Sequence, residues 1–103
     1  MRILHDYLGQ AVRLTDERLE HILGHPEMRN LEAALIEVLS NPELVVRSTS
    51  DSRVVLNYRL LNDTVFGVKW MCVVVKHQED DAFVLTVYLT DKPKKGTQLW
   101  PST

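Results

Sequence analysis

The chain has little of the material from which several functional classes are built. Cysteine occurs once in 103 residues, and glycine and proline four times each. Cys72 has no partner for an internal disulfide, and its setting in KWMCVVVK predicts a buried structural thiol rather than a nucleophile. The scattered glycines form no Gly-rich phosphate loop, and neither CxxC nor GxSxG occurs. No apolar run approaches the ~18 residues of a membrane helix. The opening MRILHDYLGQAVRL is broken by His5, Asp6 and Gly9 and carries no small-residue cleavage site, so it does not read as a signal peptide. There is no surplus of positive charge either: the net charge is −2, which argues against a generic nucleic-acid coat protein. These absences predict a single soluble, cytoplasmic domain over residues 1–103, without cofactor or membrane partner.

What is present is 45% hydrophobic and 25% charged, enough for one core. Up to Pro42 there are four basic against seven acidic residues, and thereafter eight against seven. The C-terminal half can therefore offer a local phosphate-binding surface. AVRL reads as a short strand. In LTDERLEHILG, Thr15 is an N-cap, Asp16 and Glu17 complement the positive helix end, and Leu14 with Leu19 has the spacing of a hydrophobic staple. Gly24 followed by His25-Pro26 stops that helix. A second helix lies in NLEAALIEVLSNPE, where Leu31, Ala34, Leu35, Val38 and Leu39 recur at helical spacing and Asn41-Pro42 ends the run.

From Leu44 the pattern changes to β-branched runs: LVVRS, RVVLNYRL, VKWMCVVVK and FVLTVYLT. HQEDD connects the last two as a polar hairpin turn. In FVLTVYLT the alternation sends Phe83, Leu85, Val87 and Leu89 to the helix-covered side, and Val84, Thr86, Tyr88 and Thr90 to an open side. The polar tail DKPKKGTQLWPST is expected over a sheet edge. The fold class is α+β: two N-terminal helices packed on one face of a four- or five-stranded antiparallel sheet.

Two residue groups carry candidate chemistry. His21 and His25 are four apart, the spacing of a helical metal pair, but the HExxH glutamate is missing and Gly24 ends the helix between them, so no metal is expected. The pair is either a surface histidine with a C-cap donor or an acid-base group. His21, one turn before the helix end, is the better acid-base candidate, because the turn GHP accounts for His25. Arg47, Arg53, Asn57, Arg59 and Lys69 lie in or beside apolar strands. They are either solvated charges or, if they converge with Thr86, Tyr88 and Thr90 on one face, a phosphate site. Tyr58 and Trp70 are aromatic surfaces for a base or for the core.

The ordered set VRLTDERLEHILGHPEM, LIEVLSNPELVVRS, LNYRL and VLTVYLTDKPKKGTQLW resembles the phage and bacterial small nucleases grouped as Barnase, EndoU, colicin and RelE-like, from about Ala11 to Trp100. The resemblance implies metal-independent RNA cleavage by attack of the ribose 2′-hydroxyl, toxin-like or phage-derived, or a silent descendant that still binds RNA or protein. Carried onto this chain, it makes His21, His25, Arg59 and Thr86 catalytic, and gives Arg47, Lys69, Tyr88 and Thr90 to phosphate and RNA. RNA is then the partner, with an antitoxin or immunity protein as a possible second one. The competing reading is a non-catalytic interaction module, antitoxin-like or a phage accessory protein, that uses the open sheet face.

Overall fold

A computed structural model describes residues 1–102. Strands β1 (Arg2–His5) and β2 (Ala11–Leu14) form a hairpin, followed by α1 (Asp16–Leu23), one 3-10 turn (Pro26–Met28) and α2 (Glu32–Ser40). A meander of β3 (Leu44–Arg47), β4 (Val54–Thr64), β5 (Gly67–Gln78) and β6 (Asp81–Thr90) comes next, and β7 (Thr97–Trp100) closes the chain. The seven strands form one sheet in the order β1-β2-β6-β5-β4-β3-β7.

The fold is α+β, but a four- or five-stranded antiparallel sheet under two N-terminal helices is not what forms. A strand hairpin precedes the helices, β7 adds an edge, and β2 pairs parallel to β6, with Arg13 opposite Phe83. The parallel join arises because the helices carry the chain from β2 to the far side of the sheet. The meander then returns and ends beside β2. Arg13 also grips Asp81 at this join, Nε to Oδ1 at 2.8 Å and Nη2 to Oδ2 at 2.6 Å. The expected hairpin pairing of β5 with β6 is present, from Trp70 opposite Thr90 to Gln78 opposite Asp81.

Helix α1 begins and ends on the signals in its sequence, while α2 ends at Asn41 as expected but starts at Leu31 without a side-chain cap. Thr15 Oγ1 accepts a hydrogen bond from the Arg18 amide at 3.1 Å, and the Gly24 amide donates to the Glu20 carbonyl at 2.9 Å. Ile22 of α1 and Leu35, Val38 and Leu39 of α2 are buried against Val12, Leu14, Met71, Val73, Val75, Val84 and Val87 of the sheet. The opposite sheet face carries a smaller core of Val46, Leu56, Tyr58, Cys72 and Val74. The segment between β6 and β7 crosses this second face, and the Lys94 amide donates to the Tyr58 hydroxyl at 3.0 Å.

The alternation expected in β6 holds only in its second half. The register shifts between Val74 and Val75, which places Val74 opposite Thr86 and Val75 opposite Val84. Such a bulge sends two successive residues to one side. Ala82, Val84, Val87 and Leu89 therefore pack with the helices, while Leu85 joins the second core and Phe83 lies across from Lys76. The helix-facing role expected of Phe83 and Leu85 is thus corrected.

The sheet is strongly curled. Six interstrand steps of ~4.8 Å would separate the edge strands of a flat sheet by about 29 Å. Instead Tyr7, in the β1–β2 turn, has its ring centroid 5.8 Å from that of Trp100 on β7. At the β7 end this closure depends on Gly96: a Cβ there would stand 2.3 Å from the Arg47 carbonyl oxygen and 2.6 Å from Val46 Cγ1. The helices fill one end of the trough so formed and leave the other end open.

Candidate functional site

The open end is a cleft of about 240 Å³. Its floor is formed by the paired strands β4 and β5, through Val55, Asn57, Val75 and His77. The β1–β2 turn closes one side, with Asp6, Tyr7, Leu8 and Gln10, and Arg47 of β3 and Leu99 of β7 close the other. Ser52 and Arg53 complete the rim. The turn is built by Asp6, whose Oδ1 accepts from the Leu8 and Gln10 amides, both at 2.9 Å, with Gly9 at φ 79°. A carboxylate already engaged by two amides shapes a loop.

Three features give the cleft its chemistry. First, Arg47 forms no ion pair among the described residues, whereas Arg53 Nε lies 3.5 Å from Asp51 Oδ1. The Arg53 carbonyl also accepts from the His77 amide at 2.8 Å, which fixes those two residues side by side. Second, burial, followed by the neighbouring Asp6 carboxylate, pushes the Tyr7 phenol above its usual pKa against the opposing pull of Arg47. The phenol is therefore a proton donor at neutral pH. Third, Asn57 is 2% exposed; its Nδ2 donates to the Val73 carbonyl at 3.1 Å, but its Oδ1 accepts from no protein group. Cations, a phenol, an imidazole and an unmet acceptor thus share one concavity, the arrangement expected of a binding site at the mouth of a curled sheet.

Of the residues singled out in the sequence, Arg47, Arg53 and Asn57 come together here. The others lie outside this cleft. Arg59 lies across from Met71 on the same sheet face but toward the helices, where Nη1 donates to the Asn41 carbonyl at 3.0 Å and Nε is 3.7 Å from Glu37. Lys69 lies across from Leu61 and pairs with Asp91. Thr86, Tyr88 and Thr90 point to the second face, away from Arg47 and Arg59, whereas Lys69 meets Tyr88 and Thr90 in a depression at the end of β6 that Asp91 also lines. Thr86 and Tyr88 also share a depression with Lys94 and Lys95, where Lys94 Nζ is 5.8 Å from the Tyr88 ring centre.

His21 and His25 are exposed on α1 and just beyond it, with their rings edge to face at 5.5 Å. The His25 side chain caps no helix; its Nδ1 is 3.9 Å from Glu27. His21 shares a shallow surface depression with Thr15, Glu17 and Arg18. Among the described residues no three His, Cys, Asp or Glu side chains gather as a metal-ligand set. Cys72 is buried, and that burial pushes its thiol up to about 11. No helix among the described residues is long and apolar enough to cross a membrane.

Sequence reasoning passed over Tyr7 and His77. His77 stands in KHQEDD, which reads as a charged turn, yet it continues the inward alternation of Val73 and Val75 along β5. That parity was the available signal. No protein-family model, curated protein or solved structure matches the chain.

Proposed function

We propose that the protein is a cytoplasmic, metal-independent endoribonuclease whose site is the cleft at the open end of the trough. The observation that carries this reading is the gathering of His77, Arg47, Arg53 and Tyr7 around one cavity. Histidine is the ordinary proton carrier near neutral pH. In this scheme His77 removes the proton from the ribose 2′-hydroxyl, and the freed oxygen attacks the adjacent phosphorus. The bond from phosphorus to the 5′-oxygen then breaks, and the Tyr7 phenol protonates the departing oxygen. Arg47 and Arg53 offset the charge that builds on the crowded phosphorus. The products are a 2′,3′-cyclic phosphate and a 5′-hydroxyl. The resemblance to small toxin-like and phage-derived nucleases supports the same chemistry, with His77 and Arg53 taking the places it gave to His21 and Arg59.

The test is cleavage of a short RNA by the purified protein in excess chelator. The expected outcome is product ending in a cyclic phosphate, with no cut at a 2′-deoxy linkage. Intact RNA, or equal cutting of the deoxy linkage, would remove the ribonuclease reading.

A second reading, a non-catalytic module that binds an antitoxin-like or other protein partner, draws on a different surface. Val65, Phe66 and Val68 at the β4–β5 hairpin are 69%, 62% and 58% exposed, an apolar tip of the kind that marks interaction sites. Inactive protein that binds RNA no more tightly at low salt than at high salt would favour it.

A further inference from the structure

Asn57 asks for something that a phosphate cannot supply. Its side-chain amide is held in one orientation, because turning it would set Oδ1 against the Val73 carbonyl, two acceptors face to face. What it offers the cleft is therefore a fixed acceptor. A phosphate oxygen is also an acceptor, so the group that meets Oδ1 must be an N–H or O–H donor. A buried acceptor left unmet is costly, which makes such a donor a strong selector.

The surroundings define the shape of that donor. Val55 and Val75 flank the floor and Leu99 forms a wall, all apolar, while the guanidinium groups of Arg47 and Arg53 stand at the rim. A nucleotide meets these requirements, with a flat base that passes between apolar side chains and carries a donor on its edge, attached to an anion that stays at the rim. Single-stranded RNA is read in this way, by bases splayed out of the strand and hydrogen-bonded along their edges.

We infer that the cleft is a nucleobase subsite in which Asn57 Oδ1 accepts from the exocyclic amine of cytosine or adenine. This rests on the reading of the cleft as an RNA site and adds its base preference. At the same ring position uracil, guanine and hypoxanthine carry a carbonyl oxygen, which would face Oδ1, so each could meet it only by shifting to a donor elsewhere on its edge. Asn57 is thus a specificity-determining residue.

Calorimetric titration with cytidine, uridine, adenosine and inosine 3′-monophosphates and with inorganic phosphate tests this in the intact protein, without requiring cleavage. The expected result is about tenfold tighter binding of cytidine than of uridine monophosphate, and of adenosine than of inosine monophosphate, the scale of one good hydrogen bond. Asn57→Leu should bring each pair to equality and leave phosphate binding unchanged. It should also melt within a few degrees of wild type, because it removes one hydrogen bond together with one unmet acceptor. Asn57→Val, suited to a strand, replaces it if the leucine variant does not fold. Equal binding within both pairs by wild type, alongside measurable phosphate binding, would overturn the base preference and leave the ribonuclease reading standing. A preference that survives in the variant would overturn its assignment to Asn57. Absence of binding by any of the five compounds would overturn both.

Discussion

The two ends of the trough are made from the same strands and differ in what completes them. At the helix end, α1 and α2 bury Ile22, Leu35, Val38 and Leu39, and Arg59 there is occupied by the Asn41 carbonyl and by Glu37. At the cleft end no helix follows, Arg47 forms no ion pair among the described residues, and Asn57 Oδ1 is unmet. At the first, the inward-facing cation is satisfied within the protein. At the second, Arg47 and Asn57 Oδ1 are left without such partners among the described residues. Stability should therefore reside at the helix end and binding at the cleft end, so that substitutions at the two ends separate the two properties.

The largest stability effect should come from the helix end. Leu35→Ala, at a fully buried position, should cost about 2–5 kcal/mol in chemical denaturation, from lost burial and the cavity left behind. Gly96→Ala comes next at about 1–3 kcal/mol, because its Cβ would strike the Arg47 carbonyl and force β7 away from β3. That variant bears on both ends, since β7 carries Leu99 and Trp100, so phosphate binding should weaken along with stability. Thr15→Ala removes the cap on α1 and should cost about 1 kcal/mol, with no effect on the cleft. Arg47→Ala should change stability by less than about 0.5 kcal/mol, as an exposed side chain without an ion pair, yet reduce affinity for phosphate. A stability loss as large as that of Leu35→Ala would break the comparison.

The smallest expected effect is one of pH. Arg13, chiefly by direct hydrogen bonding, holds the Asp81 carboxyl below the usual carboxylate range. A lowered folded pKa stabilises the fold above the unfolded value, near pH 4, and that contribution is lost as pH falls through the lowered one. Both side chains are well exposed, so the effect is screened. Asp81→Asn should flatten this part of the acid limb of the urea midpoint and leave the midpoint at neutral pH near that of wild type.

Signals local in sequence were legible, and signals created by pairing were not. Thr15 and Gly24 mark the ends of α1, and HQEDD marks the β5–β6 hairpin, because caps and turns are set by residues within a few positions of each other. RILH and TQLW are four-residue runs that become strands only beside β2 and β3. The bulge at Leu85 appears only once β5 lies alongside, and it reverses the side on which Phe83 and Leu85 stand. Arg47, Arg53 and Asn57 were recognisable as polar residues among apolar strands. Their sharing of a cleft with Tyr7 and His77 depends on the curl that brings the β1–β2 turn to β7. Thr86 and Arg59 look equivalent on paper, but the register puts them on opposite faces.

The most direct test is the initial rate of RNA cleavage by wild type, His77→Ala and His21→Ala, each checked by circular dichroism for an intact fold. His77→Ala should lower the rate by about 10² to 10⁴, the usual contribution of an acid-base group, while His21→Ala should stay within about twofold of wild type, as expected of an exposed histidine remote from the reacting bond. A well-folded His77→Ala that cleaves at the wild-type rate, with the loss falling on His21→Ala instead, would contradict the assignment of the cleft and return the chemistry to the helix.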